Sequence, residues 1–317
     1  MKHLSRKHAA LLFFMSFLFG VSYIATQTAL RDLGPFQVIF SRYFLASLVL
    51  AVVGYQKRHL LRLEPEERKM MLLLALIEPV GYLIFEVFGV RYASPSNVAL
   101  VVATIPVFAV IFAAILLNEK MTPLGGFGIL LSIFGVVIVV HLQDSSRLAP
   151  RPVLGSIITF GAAILAGLYN SLARRLTRRC HPFAITFYTT IIAGIAFLPM
   201  AAVEFGMHGY FRISASTVAS LLFLSVGSSV VGYYILNFSL SKIGAAEVAV
   251  FNNFNPVFTI IASFLVFGEV MHPGQFVGAA LVLAGIFFTF QRKTAAKAEL
   301  EPVEENEVNL ISRNKLR

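Results

Sequence analysis

The chain has 317 residues, of which 57% are hydrophobic and only 13% are charged, and its mean hydropathy is +0.79. Soluble domains carry about 25% charged residues, so this composition excludes a compact soluble domain. It also excludes a mostly disordered chain, because disordered segments are polar and highly charged. Cys180 is the only cysteine and cannot pair within the chain, which excludes a disulfide-rich scaffold. The composition indicates a protein whose surroundings are mostly lipid.

Apolar segments long enough to cross a bilayer recur along the whole chain. A spanning helix needs about 20 mostly apolar residues. We therefore predict an all-α integral membrane protein with ten transmembrane helices, at 9–30, 36–55, 69–90, 96–117, 123–142, 153–174, 182–204, 216–238, 245–268 and 273–291.

The chain has a net charge of +10, and its basic residues are distributed unevenly between the two predicted sides of the membrane. With the N-terminus placed in the cytoplasm, 20 of the 26 Lys and Arg residues fall on the cytoplasmic side, five fall outside, and Arg42 lies within a span. By the positive-inside rule, this bias predicts cytoplasmic N- and C-termini. It also argues against nucleic acid as a partner. The Glu-rich segment 292–317 is predicted to be a disordered cytoplasmic tail.

An internal repeat appears when the chain is compared with itself. At an offset of 150 residues, 98–135 overlays 248–285, and the shared positions include Pro106/Pro256 and Glu119/Glu269. We infer two repeats of five helices, at 9–142 and 153–291. Because five is odd, the second repeat enters the membrane from the opposite side. Inverted repeats build alternating-access transporters whose site lies near the midplane, where the repeats meet.

Several motifs give the chain a family resemblance that extends over both repeats. They are Phe19-Gly20-Val21-Ser22-Tyr23, Gly34-Pro35 with Arg42, Pro106-Val107-Phe108 with Asn118-Glu119, and Pro256-Val257-Phe258 with Gly268-Glu269. Together they resemble the EamA repeat of the drug/metabolite transporter superfamily. The resemblance implies a ten-helix inner-membrane permease, often an exporter of amino acids or other small metabolites. Aligning Pro35 with Pro182 places Thr189 opposite Arg42, so the arginine has no counterpart in the second repeat.

Three ionisable residues, Arg42, Glu78 and Glu86, lie deep within predicted spans, where such groups are functional candidates by default. Arg42 and Glu86 fall at similar depths, and we predict an ion pair that either gates or binds substrate, or acts only as a structural bridge. Glu78, Tyr82 and Glu86 are spaced four residues apart and predict one stripe on a helix, although a kink at Pro79 could rotate Glu78 out of it. Glu78 is the candidate for proton coupling; the alternative is a protonated side chain bonded to a neighbouring helix.

Uncharged polar residues complete the predicted substrate site. Asn252, Asn253 and Asn255 precede Pro256 about midway along the ninth span, and tyrosines add hydroxyl-bearing surfaces. The tyrosines concerned are Tyr23, Tyr82, Tyr169, Tyr233 and Tyr234. Glu119 and Glu269, together with Pro106 and Pro256, are expected to have structural roles in the repeats.

Glycine pairs predict close helix contacts. Gly128-x-x-x-Ser132 and Gly274-x-x-x-Gly278 favour packing inside the chain, while a homodimer stays open as an alternative to a monomer.

A transporter of a small organic solute, with no cofactor and no metal, is the function that these features favour. A lipid or polyprenyl-phosphate flippase stays open, because Arg42 would suit an anionic head group. An intramembrane enzyme is less favoured, because all seven histidines fall in termini, connections or span ends, and no metal-binding spacing occurs.

Overall fold

The structure is a computed structural model that describes residues 6–117, 123–177, 179–208, 213–243, 248 and 251–289. Within these ranges the regular structure is entirely helical, which confirms the predicted all-α class. The predicted tail at 292–317 and the predicted motif residue Glu119 lie outside the described residues.

Thirteen helical segments are numbered in chain order over the described ranges. Their bounds are α1 Arg6–Ala29, α2 Pro35–Gln56, α3 Pro65–Ala75, α4 Tyr82–Tyr92, α5 Pro95–Val102, α6 Ile105–Leu117, α7 Pro123–His141, α8 Pro152–Leu176, α9 Pro182–His208, α10 Ala215–Leu222, α11 Tyr233–Lys242, α12 Asn255–Phe267 and α13 Pro273–Thr289. Proline begins many of them, because its fixed φ suits the first helical turn, where a backbone N–H has no partner in the helix.

In the part of the chain that the structure describes, eight helical stretches are long and apolar enough to cross a membrane, and α12 and α13 are shorter apolar helices. Many large apolar side chains on their outer surfaces are exposed, as expected for contact with lipid; Leu130 is 68% exposed and Leu265 is 74% exposed. The number of crossings, predicted as ten, stays a prediction.

Two of the long stretches are interrupted by wide π-helical turns at matching positions of the two repeats. One turn, Leu76–Gly81, joins α3 to α4, and the other, Phe223–Gly232, joins α10 to α11. Glu78 leaves the helical conformation, with φ −147° and ψ 120°, immediately before Pro79. The prediction that Glu78, Tyr82 and Glu86 form a stripe on one continuous helix is therefore wrong, because the helix is interrupted at Glu78 and Pro79. Such turns recur at functional sites in helical proteins.

A second pair of breaks lies 150 residues apart. The chain turns at 103–104, between α5 and α6, and again at 253–254, just before α12. Each turn precedes one of the repeat prolines, Pro106 or Pro256, which lie within the first turn of the following helix. Proline cannot donate the backbone hydrogen bond that would continue the helix across the turn.

The helices pack in groups that mix the two repeats. Helix α1 packs against α10, α11 and α12, whereas α8 packs against α3, α4, α5 and α6. Glycine permits the close contact in both groups. A Cβ at Gly20 would lie 2.7 Å from the Cβ of Phe258, and a Cβ at Gly167 would lie 2.6 Å from the Cβ of Phe108. Phe108 and Phe258 are themselves equivalent positions of the repeat.

Helices α7 and α13 form a separate antiparallel pair. A Cβ at Gly128 would lie 2.4 Å from the Gly285 carbonyl oxygen, and a Cβ at Gly135 would lie 2.6 Å from the Gly278 carbonyl oxygen. Ser132 adds a hydrogen bond of 3.2 Å to the Val282 carbonyl oxygen. The glycine contacts expected between these segments thus lie inside the chain.

Carboxylates join the two repeats at the end of the bundle that we predict to be external. Asp32, which follows α1, accepts hydrogen bonds from the Ser214 amide (2.8 Å), the Ser214 hydroxyl (2.5 Å) and the Thr217 hydroxyl (2.7 Å) at the start of α10. Glu204 at the end of α9 accepts a bond of 2.9 Å from the Gln37 amide at the start of α2. Carboxylates are stabilised at helix N-termini by unpaired N–H groups and the helix dipole.

Substitution of Gly128 by alanine should lower the thermal stability of the detergent-solubilised protein. The added methyl group meets backbone of α13 that cannot move aside easily, and overpacking of this kind costs about 1–3 kcal/mol. Gly126 provides a matched control on the same helix, because nothing lies within 4 Å of a Cβ placed there. Equal melting temperatures for Gly128→Ala and Gly126→Ala would contradict the described packing.

The Asp32 contacts predict a pH-dependent contribution to stability. The hydrogen bonds donated by Ser214 and Thr217 lower the pKa of Asp32 below its ordinary value of 3.8. A lowered folded-state pKa stabilises the fold above the unfolded-state pKa, and this stabilisation is lost as the pH falls through the folded-state value. Asp32→Asn should therefore lower the melting temperature at pH 7, with a difference from the unaltered protein that shrinks towards pH 3. Asp144→Asn, in an exposed connection, is the control and should show no such convergence.

Candidate functional site

A cavity lies between helices of both repeats. Its described lining comprises Phe19, Ser22, Tyr23, Arg42, Glu78, Tyr82, Glu86, Val102, Ile105, Ala166, Asn170, Ser228, Tyr233, Leu236, Asn252 and Asn255. The first repeat contributes all three charged side chains, and the second contributes three amides. The cavity volume is about 50 Å³, which is space for a few water molecules rather than for a metabolite.

Arg42 reaches the cavity from α2 and is only 3% exposed. Its Nε donates to the Ser229 hydroxyl at 2.6 Å, and its Nη2 donates to the Ser228 hydroxyl at 2.8 Å. The guanidinium carbon also lies 5.6 Å from the centre of the Tyr43 ring, within the range of a cation–π contact.

Arg42 and Glu86, predicted to form an ion pair, make no contact within 4.0 Å in this conformation, although their charges act on each other across the cavity. In the described part of the chain, the one Lys/Arg–carboxylate contact within 4.0 Å joins Arg179 to Glu66. Similar depth along the membrane normal did not place Arg42 and Glu86 in contact, because Arg42 points towards two serines of the opposite repeat, which accept from two of its five N–H groups. Glu86 is nevertheless in the same cavity, and its Oε1 has no hydrogen-bond partner among the described residues.

Glu78 has a neutral partner from the second repeat. The Tyr233 hydroxyl donates to Glu78 Oε1 at 2.8 Å, and Glu78 is 6% exposed. The break before Pro79 leaves Glu78 in the cavity together with Tyr82 and Glu86, although the three no longer form a regular helical stripe.

Two of the three predicted asparagines line the cavity. Asn252 and Asn255 belong to the described lining, while Asn253, within the turn, does not. The side-chain oxygens of all three have no hydrogen-bond partner among the described residues. The amides of Asn252 and Asn255 are thus available to a ligand at the break before α12.

The predicted tyrosines divide into two groups. Tyr23, Tyr82 and Tyr233 line the cavity, whereas Tyr169 and Tyr234 are not part of its described lining. Tyr169 instead donates from its hydroxyl to the side-chain oxygen of Asn237 at 3.0 Å. Tyr234 is 37% exposed and stacks on Phe238.

Three residues that support or extend the site were not predicted from the sequence. Uncharged polar residues are common in membrane helices, so the residue type alone does not distinguish Asn170, Ser228 and Ser229 as site residues. A signal existed for Asn170: the alignment that pairs Pro35 with Pro182 also pairs Tyr23 with Asn170. Nothing comparable in the sequence distinguishes the two serines.

The motif residues Pro106, Pro256 and Glu269 are not part of the described cavity lining. Glu269 accepts a hydrogen bond of 2.7 Å from the Ser96 hydroxyl at the start of α5 and another from Ser263. The bond from Ser96 joins the first repeat to the second. Among the residues that the structure describes, no group of three or more His, Cys, Asp or Glu side chains could hold a metal ion.

Comparison with known proteins identifies the family. A family profile described as "EamA-like transporter family" matches residues 6–141 and 153–291. The protein named "Uncharacterized transporter YcxC" from Bacillus subtilis is 30% identical over 291 residues, covering 88% of this chain and 90% of the relative.

More distant relatives and a solved structure agree with this match. The "Probable terminal-alkyne amino-acid exporter" of Streptantibioticus cattleyicolor is 22% identical, over 87% of this chain and 90% of its own. The "Probable amino-acid metabolite efflux pump" of Escherichia coli is also 22% identical, over 90% and 95% of the two chains. A crystal structure with 18% identity superposes with a TM-score of 0.64 over 90% of this chain and 97% of the other, which shows a shared fold. The chain therefore belongs to the EamA-like transporter family, within the drug/metabolite transporter superfamily, and is a multi-pass membrane protein.

Proposed function

We propose that this protein is a secondary active transporter that exports a small organic metabolite, such as an amino acid, from the cytoplasm across a bacterial inner membrane. Transport proceeds by alternating access between two inverted repeats, with both termini in the cytoplasm. The observation that carries this proposal is that residues at equivalent positions of the two repeats line the same cavity.

Five pairs of cavity residues are equivalent in the repeat alignment. The pairs are Phe19/Ala166, Tyr23/Asn170, Tyr82/Tyr233, Val102/Asn252 and Ile105/Asn255, at offsets of 147 to 151 residues. A cavity lined by equivalent positions lies where the two repeats meet, as in transporters built from inverted repeats. The antiparallel contact of α7 with α13, the last helices of the two repeats, supports the inversion.

The moving units in this proposal differ from the sequence repeats. In the α1 group, α1 contacts α10, α11 and α12, and in the α8 group, α8 contacts α3 to α6. Helix α12 also contacts α5 across the groups, and α2 and α9, which pack on each other, belong to neither. The cavity lies between the two groups, with Phe19 and Tyr23 on one side and Ala166 and Asn170 on the other. Rocking of these groups against each other would expose the cavity first to one side and then to the other. The breaks at 76–81, 103–104, 223–232 and 253–254 interrupt the regular helices of both groups.

The chemistry of the cavity suits an amphipathic zwitterion. Arg42 can donate to a carboxylate, while Glu86 Oε1 and the asparagine oxygens can accept from an ammonium group. Val102, Ile105 and Ala166 form an apolar wall for a side chain. The names of the two exporter relatives agree with such a substrate, and the small cavity volume implies that the groups separate when substrate enters.

Glu78 is the proposed site of proton coupling. It is buried in the cavity, and Tyr233, its hydrogen-bond partner, belongs to the opposite group of helices. A proton taken up by Glu78 would change this contact between the moving groups, which would link protonation to the change of conformation.

Counterflow into proteoliposomes should identify the substrate class. Proteoliposomes that contain the purified protein and are preloaded with an unlabelled amino acid should accumulate the labelled amino acid. Proteoliposomes preloaded with a sugar or a nucleotide should not accumulate the corresponding labelled compound. Fluorescent phosphatidylglycerol in the same vesicles provides a lipid control. Lipid movement without counterflow of any solute would contradict the proposal and favour a flippase.

Glu78→Gln should abolish transport driven by a proton gradient while leaving counterflow, which requires no net proton movement, within a few fold of the unaltered protein. Glu269→Gln serves as the matched control, because Glu269 is a carboxylate outside the described cavity lining. The rate of labelled amino-acid transport should be measured with and without an imposed pH difference. Unchanged dependence on that pH difference in Glu78→Gln would remove Glu78 from the coupling role.

A further inference from the structure

We propose that Ser228 and Ser229 are positioning residues, which hold Arg42 so that its free edge binds an oxyanion group of the transported molecule, a carboxylate or a phosphate. The inference rests on the proposed function, since it assigns a chemical class to the ligand of the same cavity. It also gives a role to two serines that no pattern in the sequence had marked.

The two hydrogen bonds use one edge of the guanidinium. Nε and Nη2 form the side edge of the fork, and they donate to Ser229 at 2.6 Å and Ser228 at 2.8 Å. A guanidinium has five N–H groups, so three remain, on Nη1 and Nη2. Those two nitrogens form the second edge, whose parallel donors match the two oxygens of a carboxylate or phosphate. The stacking position over Tyr43 further limits rotation of the guanidinium plane.

The hydrogen bonds described for Arg42 go to neutral hydroxyls, and Glu86 acts on its charge only across the cavity, without contact. Among the described residues, no carboxylate oxygen lies within 4.0 Å of it, although the side chain is 97% buried and lines the cavity. A buried cation without a contacting counter-ion is costly, and an anion delivered by the substrate would reduce that cost. The serines thus orient the arginine without neutralising it, whereas a carboxylate in their place would already satisfy its charge.

The π-helical turn explains how the serines reach Arg42. The Tyr233 amide donates to the Ser228 carbonyl oxygen five residues earlier, so the turn from Ser228 to Tyr233 is wider than an α-helical turn. Ser228 and Ser229 are 0% and 1% exposed and face α2, while Tyr233, at the end of the same turn, binds Glu78. One segment of the second repeat therefore holds two of the charged residues of the first.

Binding of small aromatic probes to the purified, full-length protein tests the inference without requiring transport. The probes are phenylacetate, phenyl phosphate and the neutral 2-phenylethanol, and the readout is the concentration-dependent rise in melting temperature. Ser228→Ala, Ser229→Ala and Arg42→Lys should weaken binding of the preferred oxyanion by about 10-fold or more, as expected for loss of a hydrogen bond to a charged group. Binding of 2-phenylethanol should stay unchanged, and Ser229→Thr, which keeps a hydroxyl, should retain oxyanion binding.

Ser225→Ala is the matched control. Ser225 is also fully buried in the same π-helical segment, but its hydroxyl donates to the Leu221 carbonyl oxygen instead of holding Arg42. Equal loss of neutral and anionic probes in the serine variants would reduce Ser228 and Ser229 to a purely structural role and overturn the inference. Failure of both anionic probes to bind the unaltered protein would overturn it as well. Preference for phenyl phosphate would support the oxyanion site and assign the ligand to phosphates, whereas absent amino-acid counterflow would count separately against the proposed function.

Discussion

A guanidinium placed inside a membrane-spanning bundle has to be solvated by the protein, and much of the cavity is organised around that requirement at Arg42. Two neutral hydroxyls, from Ser228 and Ser229, supply hydrogen-bond acceptors without cancelling the charge. Because the two serines belong to the other repeat, these hydrogen bonds also join the two repeats in the middle of the molecule. The same π-helical segment carries Tyr233 to Glu78, so both contacts depend on one local irregularity of the backbone.

The two repeats share a scaffold but not a chemistry. Equivalent glycines, turns and prolines shape both, and Gly20 against Phe258 repeats the contact of Gly167 with Phe108. The polar residues of the cavity differ between the repeats. The charged side chains come from the first repeat, whereas the amide side chains of Asn170, Asn252 and Asn255 come from the second. We regard this division as the feature that would allow a nearly symmetric frame to bind an asymmetric solute in one orientation.

Helix positions and the family could be predicted because hydropathy over 20 residues and prolines at a fixed offset are strong signals. The cavity residues were harder to predict, since depth along a span says nothing about which neighbour a side chain faces. Arg42 and Glu86 match in depth, but the arginine turns towards serines that leave no mark in the sequence. Tyr169 and Asn170 differ by one residue, and only the rotation of α8 in the packed bundle places Asn170, and not Tyr169, at the cavity.

The most direct test of the account asks whether the cavity opens to both sides of the membrane. Cys180 is the sole cysteine, so a Cys180→Ser background allows a single reporter to be placed at the cavity wall as Ala166→Cys. A membrane-impermeant thiol reagent should modify it in right-side-out vesicles and also in inverted vesicles, and a transported substrate should slow the reaction in both. Modification from one side only, with no protection by substrate, would contradict alternating access at this cavity.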